Sequence, residues 1–496
     1  MISTRLDIGS DLKHDSVSGV RPWPTVRVLT CLSLMLATAS TPLLAQPVIA
    51  QNEAPAARIP ADASADADAD ADAEAADDGS EAGAAPRQAR ATARTRSFRP
   101  SLRTGVDDVL LELGATPEHP DSSASAWLRA TPYLQWQPAR AWEFRASLRL
   151  DAVRQSGDVA YSDANAELDE TWVRWRSGDT RLSAGLQTIL WGRVDGVPLI
   201  DRVSRVDISR VLLDDLPDRR SPQAALRWEQ AFGDWTLDAV LLPDFQGADL
   251  PDAHSIWNPL NRRSGRVLGI AMQPALAALV RTGTVDQDDG GDGGGALRLT
   301  RTGEPFDAGF TLGRTRQSLP YFRPDFQRGT LTAVHPFNSF AGVDAEWVAA
   351  GATWRSELVF SRGVPLTTPL GQAVDARALE WVGAVEFFPG GGDTRVNLQI
   401  SSRGLRVVGP VLELTSYTAI NGEIETSFGV GRWKLGLQFV SGLSVHDLYL
   451  SPRISYTGFE PHEITLSLHG FRGNERTLGG FYQDNAYVAL GVRTRF

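Results

Sequence analysis

The residue types that could perform chemistry in this sequence are charged side chains rather than catalytic motifs. It has no Gly-x-Ser-x-Gly elbow, no P-loop and no His-Glu-x-x-His pattern, and its seven histidines are scattered. The densest set of charges is a run of arginines and aspartates between residues 192 and 221. Paired charges keep a loop ordered, and the transverse field they create selects among polar solutes. The pattern predicts a passage for solutes, not an enzyme, and indicates no cofactor and no metal.

The run 192–221 follows an alternating segment and balances its positive and negative charges. Residues 208–216 (ISRVLLDDL) predict a short amphipathic helix. We expect the run to fold into a lumen, with Arg193 paired to Asp195 or Asp207; a solvated surface loop is the alternative. The candidate constriction residues are Trp191, Arg193, Asp195, Asp201, Arg205 and Asp207.

In the segments that must position this run, apolar and polar residues alternate with a period of two. Trp433, Leu435 and Leu437 alternate with Lys434 and Gln438, and several other segments show the same pattern. Successive side chains of a strand point to opposite faces, so one face is apolar and the other charged. That suits a barrel with lipid outside and water inside. The candidate lumen-lining residues are Arg145, Arg149, Arg174, Arg227, Glu229, Glu357, Arg395 and Arg403.

The connections alternate in length. Short turns near 177–179, 232–234, 389–393 and 429–432 alternate with long polar connections at 154–164, 192–221, 243–294, 362–375, 404–414 and 472–485. Bacterial barrels have short periplasmic turns and long outer loops. The sequence therefore predicts an all-β, antiparallel transmembrane barrel of about 16–18 strands. The strands are expected to start near 104, 126, 142, 165, 180, 222, 234, 295, 306, 341, 351, 376, 394, 415, 432, 450, 463 and 486, and segment 319–340 could hold a further hairpin.

The last alternating segment ends at Phe496. A terminal aromatic residue on such a strand is similar to the signal read by the outer-membrane barrel assembly machinery. Phe496 is therefore our candidate assembly signal, and that machinery is an expected partner together with outer-membrane lipid.

Composition excludes other classes of protein. Although 42% of the residues are hydrophobic, no run of 18 or more apolar residues exists, which excludes spanning helices. The net charge is −11 and no basic patch is evident, so nucleic acid is not an expected partner. The single cysteine, Cys31, lies in a segment that we expect to be removed.

The first hundred residues predict export and disorder. Residues 1–50 combine Arg21 and Arg27, a short apolar stretch and small residues, which indicates a signal peptide with a long leader, cleaved after Ala50 or Ala45. Residues 51–100 are Ala/Asp-rich and then Arg-rich; nine acids and no base fall within 62–81, so no core can form there. Residues 101–496 form the expected barrel, located in the outer membrane of a Gram-negative cell.

A family resemblance adds to these inferences. Residues 191–196 (WGRVDG), followed by Asp201 and then by Val206 and Asp207, resemble a barrel family classed as a domain of unknown function, whose members carry Trp-Gly-x-x-Asp, an Asp and then Asn-Pro-x-Asp. This chain departs from the pattern by having Ser204 and Arg205 in place of Asn-Pro. Residues 480–485 (GFYQDN) also look like the ending of that family.

The resemblance implies a function in trafficking across the envelope. Relatives are suspected of moving lipids or other apolar compounds alongside inner-membrane exporters. We therefore expect a channel or transporter for apolar cargo, with an inner-membrane exporter or a periplasmic carrier as partner. A porin for small polar solutes and a structural or adhesive surface barrel are the alternatives.

Overall fold

The structure, a computed structural model, describes residues 98–288 and 290–495. The predicted signal peptide, nearly all of the predicted disordered segment 51–100, and Phe496 lie outside the described residues. The described part of the chain is therefore almost entirely the predicted barrel region.

Eighteen strands make up one large sheet. They are β1 Ser101–Ala115, β2 Ala124–Ala139, β3 Trp142–Ser156, β4 in two segments (Tyr161–Leu168 and Thr171–Ser177), β5 Thr180–Gln187, β6 Gln223–Phe232, β7 Trp235–Leu242, β8 Gly294–Arg301, β9 Asp307–Arg316, β10 Phe337–Ala349, β11 Ala352–Thr367, β12 Ala373–Phe387, β13 Thr394–Arg406, β14 Ser416–Phe428, β15 Trp433–Gly442, β16 Asp447–Phe459, β17 His462–Gly473 and β18 Tyr487–Arg495.

The sheet closes on itself. Each strand pairs antiparallel with the next, and β1 pairs with β18 from Asp108 opposite Arg495 to Ala115 opposite Val488. Closure leaves no exposed sheet edge at this seam, which is what allows strands to cross a bilayer. The predicted antiparallel barrel of 16–18 strands is therefore confirmed, and its fold is that of outer-membrane barrels.

The alternation of connection lengths gives the barrel two distinct ends. Turns such as 140–141, 178–179 and 233–234 join strands at one end, which we call the turn end. The long connections 188–222 and 243–293 meet at the other, which we call the loop end. Segment 319–340 does contain a hairpin, Tyr321–Asp325 with Thr330–Val334, but it belongs to a loop-end connection and not to the barrel wall.

Apolar side chains cover the outside of the wall. Leu435 is 51% exposed, while Gln438 points inward and lines a cavity, as the alternation predicts. Aromatic pairs lie near the turn end: Trp136 with Phe144 (5.3 Å between ring centroids), Trp347 with Trp354 (6.4 Å) and Phe428 with Trp433 (6.3 Å). Such girdles mark a membrane–water interface.

The wall differs in height around the barrel. Strands β5, β7 and β8 have 8 residues each, whereas β2 and β11 have 16. Eight residues at ~3.3 Å each, tilted by about 40°, reach roughly 20 Å, less than the ~25 Å apolar band of such barrels. Because these strands begin or end at turns of the turn end, the missing height is at the loop end.

The two α-helices of the described chain lie in loop-end connections. Helix α1 is Pro274–Thr282 and helix α2 is Leu478–Phe481. Helix α1 packs through Leu276, Leu279 and Val280 against the loop residues Leu260 and Leu331. In the described chain, no helix is long and apolar enough to cross a membrane.

Candidate functional site

The connection between β5 and β6, residues 188–222, lies inside the barrel; we call it the inward segment. Its strongest anchor is the carboxylate of Glu357 on β11, whose side chain is fully buried. One oxygen accepts hydrogen bonds from the backbone N–H groups of Arg193 (2.6 Å) and Val194 (3.0 Å). The other accepts from Leu199 (2.6 Å) and Ile200 (3.1 Å). A single wall residue therefore holds both arms of this bend.

A second buried carboxylate holds the same bend. Asp344 on β10 accepts from Arg193 Nε at 2.5 Å and from the guanidinium of Arg298 on β8 at 2.8 and 2.9 Å. The Asp344 side chain is 0% exposed, whereas Asp307, 3.5 Å from Arg193, is 33% exposed. The predicted pairing of Arg193 with Asp195 or Asp207 is wrong, because the partners of this arginine belong to the wall.

The Trp-Gly-x-x-Asp stretch has a local structural explanation. One oxygen of Asp201 accepts from the backbone N–H groups of Trp191 (2.6 Å) and Gly192 (2.7 Å) and so closes the bend. The Trp191 indole donates to Asp238 on β7 at 2.8 Å. A Cβ at Gly192 would lie 2.4 Å from the Pro198 side chain, so this position requires glycine.

Asp195 and Asp207 point to different parts of the wall. Asp195 accepts from Arg395 (3.0 Å) and Asn397 (2.7 Å) on β13. Asp207, buried, accepts from Arg149 on β3 at 2.5 Å. The inward segment therefore reaches across the lumen. The wall partners of these two aspartates could not be inferred from their positions in the sequence.

The second half of the inward segment returns along β1, β2 and β18. Arg210 donates to Glu112 on β1 (2.8 Å) and to Asp214 (2.7 Å), and Arg129 on β2 also reaches Asp214 (3.4 Å). Burial alone would raise the pKa of Asp214, but Arg210 and Arg129 together hold that pKa below its usual range. Asp218 accepts from Arg493 at 2.5 and 2.8 Å.

The short helix predicted over 208–216 is wrong. These residues form successive turns, and Val211 has φ 53°, a left-handed conformation that interrupts a right-handed helix. The apolar side chains still share one side, since Val211 and Leu212 pack against the inward-facing Tyr449 and Phe471. Burial of these side chains, and not helical periodicity, fixes the local path.

The predicted lumen-lining residues all lie on the inner face of the wall, but one has a different role. Glu357 lines no open water, because the inward segment covers it. The others form ion pairs near the wall: Arg145 with Asp107, Arg149 with Asp151 and Asp207, Arg174 with Glu143, Arg227 with Asp238, Glu229 with Arg181, Arg395 with Glu386, and Arg403 with Glu380.

Arg205 anchors the inward segment on the β4 side of the barrel. It pairs with Asp249 of the 243–293 connection and donates to the Gly247 carbonyl oxygen at 2.8 Å. Its guanidinium also lies 3.6 Å from Glu167 on β4. This arginine therefore joins the inward segment both to a second connection and to the wall.

Sequence reasoning missed the apolar residues inside the barrel. Towards the loop end, Val364, Leu366, Ala376, Ala378 and Leu405 of β11–β13 form a buried inward cluster. On the other side Trp257, from the 243–293 connection, packs against Tyr482 and Tyr487. The signal was present in the stretch 364–366 (VPL) and in the aromatics before β18, where polar residues would be expected on an inner face.

A cavity of about 910 Å³ lies between these groups. Towards the loop end its lining includes the apolar side chains of Leu319, Phe322, Val364, Leu366 and Leu405, beside polar loop residues such as Gln317 and Glu413. Deeper in the lumen it is polar, with Asp195, Asn397, Gln399, Asn421 and Glu423. The volume lies in the range of small-molecule sites, and the two kinds of lining suit a molecule with an apolar and a polar part.

Among solved structures, outer-membrane porins are similar to this barrel. The structure is similar to OccK5 of Pseudomonas aeruginosa (11% identity, 79% of this chain and 97% of that chain, TM-score 0.45) and to OpdL of the same organism (11%, 80% and 98%, 0.44). OmpF of Salmonella typhi, solved with daunomycin, matches at 10% identity, 80% and 97% coverage and TM-score 0.39. The fold assignment rests on the strand pairing itself.

No family model matches the sequence, and no curated protein matches it. The resemblance to the family with the Trp-Gly-x-x-Asp stretch therefore rests on the motif residues alone.

Proposed function

We propose that this protein is a channel or transporter of the Gram-negative outer membrane whose lumen is narrowed by the inward segment. Its proposed cargo is a molecule with a substantial apolar part. The observation that carries the proposal is the cavity: a cluster of apolar side chains lines part of its loop-end portion, and charged or amide side chains form its deeper portion. A lumen that carried only ions would gain nothing from the buried apolar cluster of β11–β13.

A porin for small polar solutes is the second candidate, and a specific observation favours it. The deeper lumen carries ion pairs whose charges alternate in sign along one side of the wall from β11 to β16: Arg355, Glu386, Arg395, Glu423 and Arg453. A charged lining of this kind favours polar solutes. The two candidates differ in whether the apolar cluster contributes to transport.

The proposal extends to location and partners. Outer-membrane lipid would contact the apolar belt, and the barrel assembly machinery would insert the chain. A periplasmic carrier or an inner-membrane exporter would exchange cargo at the turn end, because long connections occupy the loop end. We propose no catalytic activity and no nucleic-acid partner.

The test is single-channel conductance of the protein in planar bilayers, comparing wild type with Glu357→Gln. The glutamine oxygen can accept from Arg193 and Val194, but its NH₂ group would face the N–H groups of Leu199 and Ile200. Two buried donors would lose their acceptor, so the bend should loosen and conductance should rise several-fold. Glu463→Gln on β17 is the matched control, since that inward carboxylate contacts Thr465 and not the inward segment.

Transport of the two cargo classes separates the candidates. Leu366→Asp, which places a charge in the apolar cluster, should reduce passage of an apolar dye into vesicles and leave ion conductance unchanged. If it changes ion conductance alone, the polar-solute porin is the better assignment. Absence of both conductance and dye passage in wild type and in Glu357→Gln would favour the structural or adhesive barrel.

A further inference from the structure

The wall is incomplete between β4 and β5. The segment Tyr161–Leu168 of β4 pairs through one edge with β3. Among the residues that the structure describes, no strand pairs with its other edge, because β5 pairs only with Thr171–Ser177. The chain leaves the wall after Gln187, and the residues that would continue β5 along this edge run into the lumen, where Ile189 and Trp191 are 1% and 5% exposed. We call this break in the wall the side gap.

The side gap reaches into the apolar belt. On β3, outward apolar side chains extend from Trp142 to Ala152, and Arg154 follows as the next outward residue. Ala152 pairs with Ala164 on β4, so Ala164, Ala166 and Leu168 lie at belt depth. Unpaired backbone at this depth is tolerated only where protein covers it or where it lines a watery cavity. The unpaired edge of β4 therefore faces protein or water inside the barrel and not bulk lipid.

A thin partition separates the side gap from the cavity. Arg205–Val206 pairs with Arg220–Ser221, and Asp207 bridges to Asp249. Val206 lines the cavity, whereas the guanidinium of the adjacent Arg205 lies 3.6 Å from Glu167 at the edge of β4. Because neighbouring residues of an extended segment point to opposite sides, the partition is a single layer of chain here.

We infer that the side gap is a lateral opening through which a single-chain amphiphile moves between the cavity and the outer leaflet. This inference rests on the proposed function and adds the cargo class and its path. The apolar tail would pass over the small outward side chains of Ala164 and Ala166. The polar head would pass the charged groups of Arg205, Glu167 and Asp249, whose ion pairs close the opening at rest.

The experiment maps where such a molecule binds. The full-length protein is reconstituted into phosphatidylcholine vesicles that contain a small fraction of lysophosphatidylcholine with a diazirine on its tail. After irradiation, mass spectrometry locates the cross-linked peptides. Wild-type protein should be labelled at the cavity peptides containing Leu319 and Leu366 as well as at the belt. Ala166→Trp should reduce cavity labelling several-fold, and Arg205→Ala should increase it.

The matched control is Ala341→Trp, which adds the same side chain to the outside of β10, where both strand edges are paired and the side gap is distant. Ala166→Leu, a smaller change, keeps the test valid if the tryptophan variant does not fold. Equal cavity labelling in wild type and both Ala166 variants would overturn the lateral opening and leave the channel intact, since entry would then be from the loop end. Labelling confined to the belt in every variant would overturn the lateral opening as well, and the conductance of Glu357→Gln would still test the channel separately.

Discussion

The two sides of this barrel use their residues differently. On the tall side, β10–β13 have 13 to 16 residues each and supply the buried carboxylates Asp344 and Glu357 that hold the inward segment. On the low side, β5–β8 have 8 to 10 residues, and the chain leaves the wall after Gln187. The residues that would have made the low side taller therefore lie in the lumen, where residues of the tall side bind them. The wall and its contents are thus one structural arrangement.

The largest effect should come from removing a tall-side anchor. Asp344→Asn leaves Arg193 and Arg298 without their shared carboxylate in a buried site. Breaking a buried pair from one side costs about 3–5 kcal/mol, and we expect a loss of that order in the free energy of unfolding measured in lipid vesicles. Asp307→Asn is the control, because Asp307 is a third exposed and lies farther from Arg193. Equal effects of the two substitutions would mean that the tall side does not hold the segment.

A smaller effect should distinguish the lipid-facing surface of the tall side from that of the low side. Leu358 on β11 lies midway between Trp354 and Arg362 on the outside of the tall side. Leu358→Arg should cost about 2–4 kcal/mol, as for arginine at the midplane of a barrel's lipid face. Leu241→Arg, one residue from the loop-end limit of β7, should cost ~0–1 kcal/mol because the guanidinium reaches water there. Urea-induced unfolding in vesicles measures both, and similar costs would contradict the difference in wall height.

The smallest effect concerns pH. Arg210 and Arg129 hold the pKa of Asp214 below its usual range against the effect of burial. A carboxyl with a depressed folded-state pKa contributes stability that is present above its unfolded pKa of about 3.9 and is lost as pH falls through the folded value. The contacts of Asp214 should therefore hold the segment unchanged from neutral pH to about pH 4, and conductance should rise only below that range if these contacts control the segment. A rise in conductance at a clearly higher pH would show that another contact controls it.

Much of the wall could be predicted from the sequence. Alternation depends only on neighbouring residues, since one face meets lipid and the other the lumen, so strand positions follow from local pattern. The strand expected near 142 begins at Trp142, and the one expected near 341 begins at Phe337, where the alternation is weakest. The positions of the short turns follow from the sequence for the same local reason.

The interior could not be predicted in the same way. Arg193 and Asp344 are 151 residues apart, and Asp195 and Arg395 are 200 apart. Which wall carboxylate meets which loop arginine depends on the path of the inward segment across a closed barrel, and no local pattern encodes that path. The break in β4 at Asp169 and Glu170 was missed, although the outward side chains change there from even positions (Ala164, Ala166, Leu168) to odd positions (Val173, Trp175).

The anchoring by Glu357 has a consequence for the order of assembly. The inward segment precedes in the chain every strand from β10 to β13 that binds it, so its amides have no acceptor while those strands are outside the membrane. Contacts between residues so far apart in sequence form late. The lumen should therefore fill last, after the wall has closed, and a nascent barrel should pass through an open, water-filled stage. Protease added during refolding into vesicles would detect that stage as transient cleavage within 205–216, and protection of these residues from the outset would exclude it.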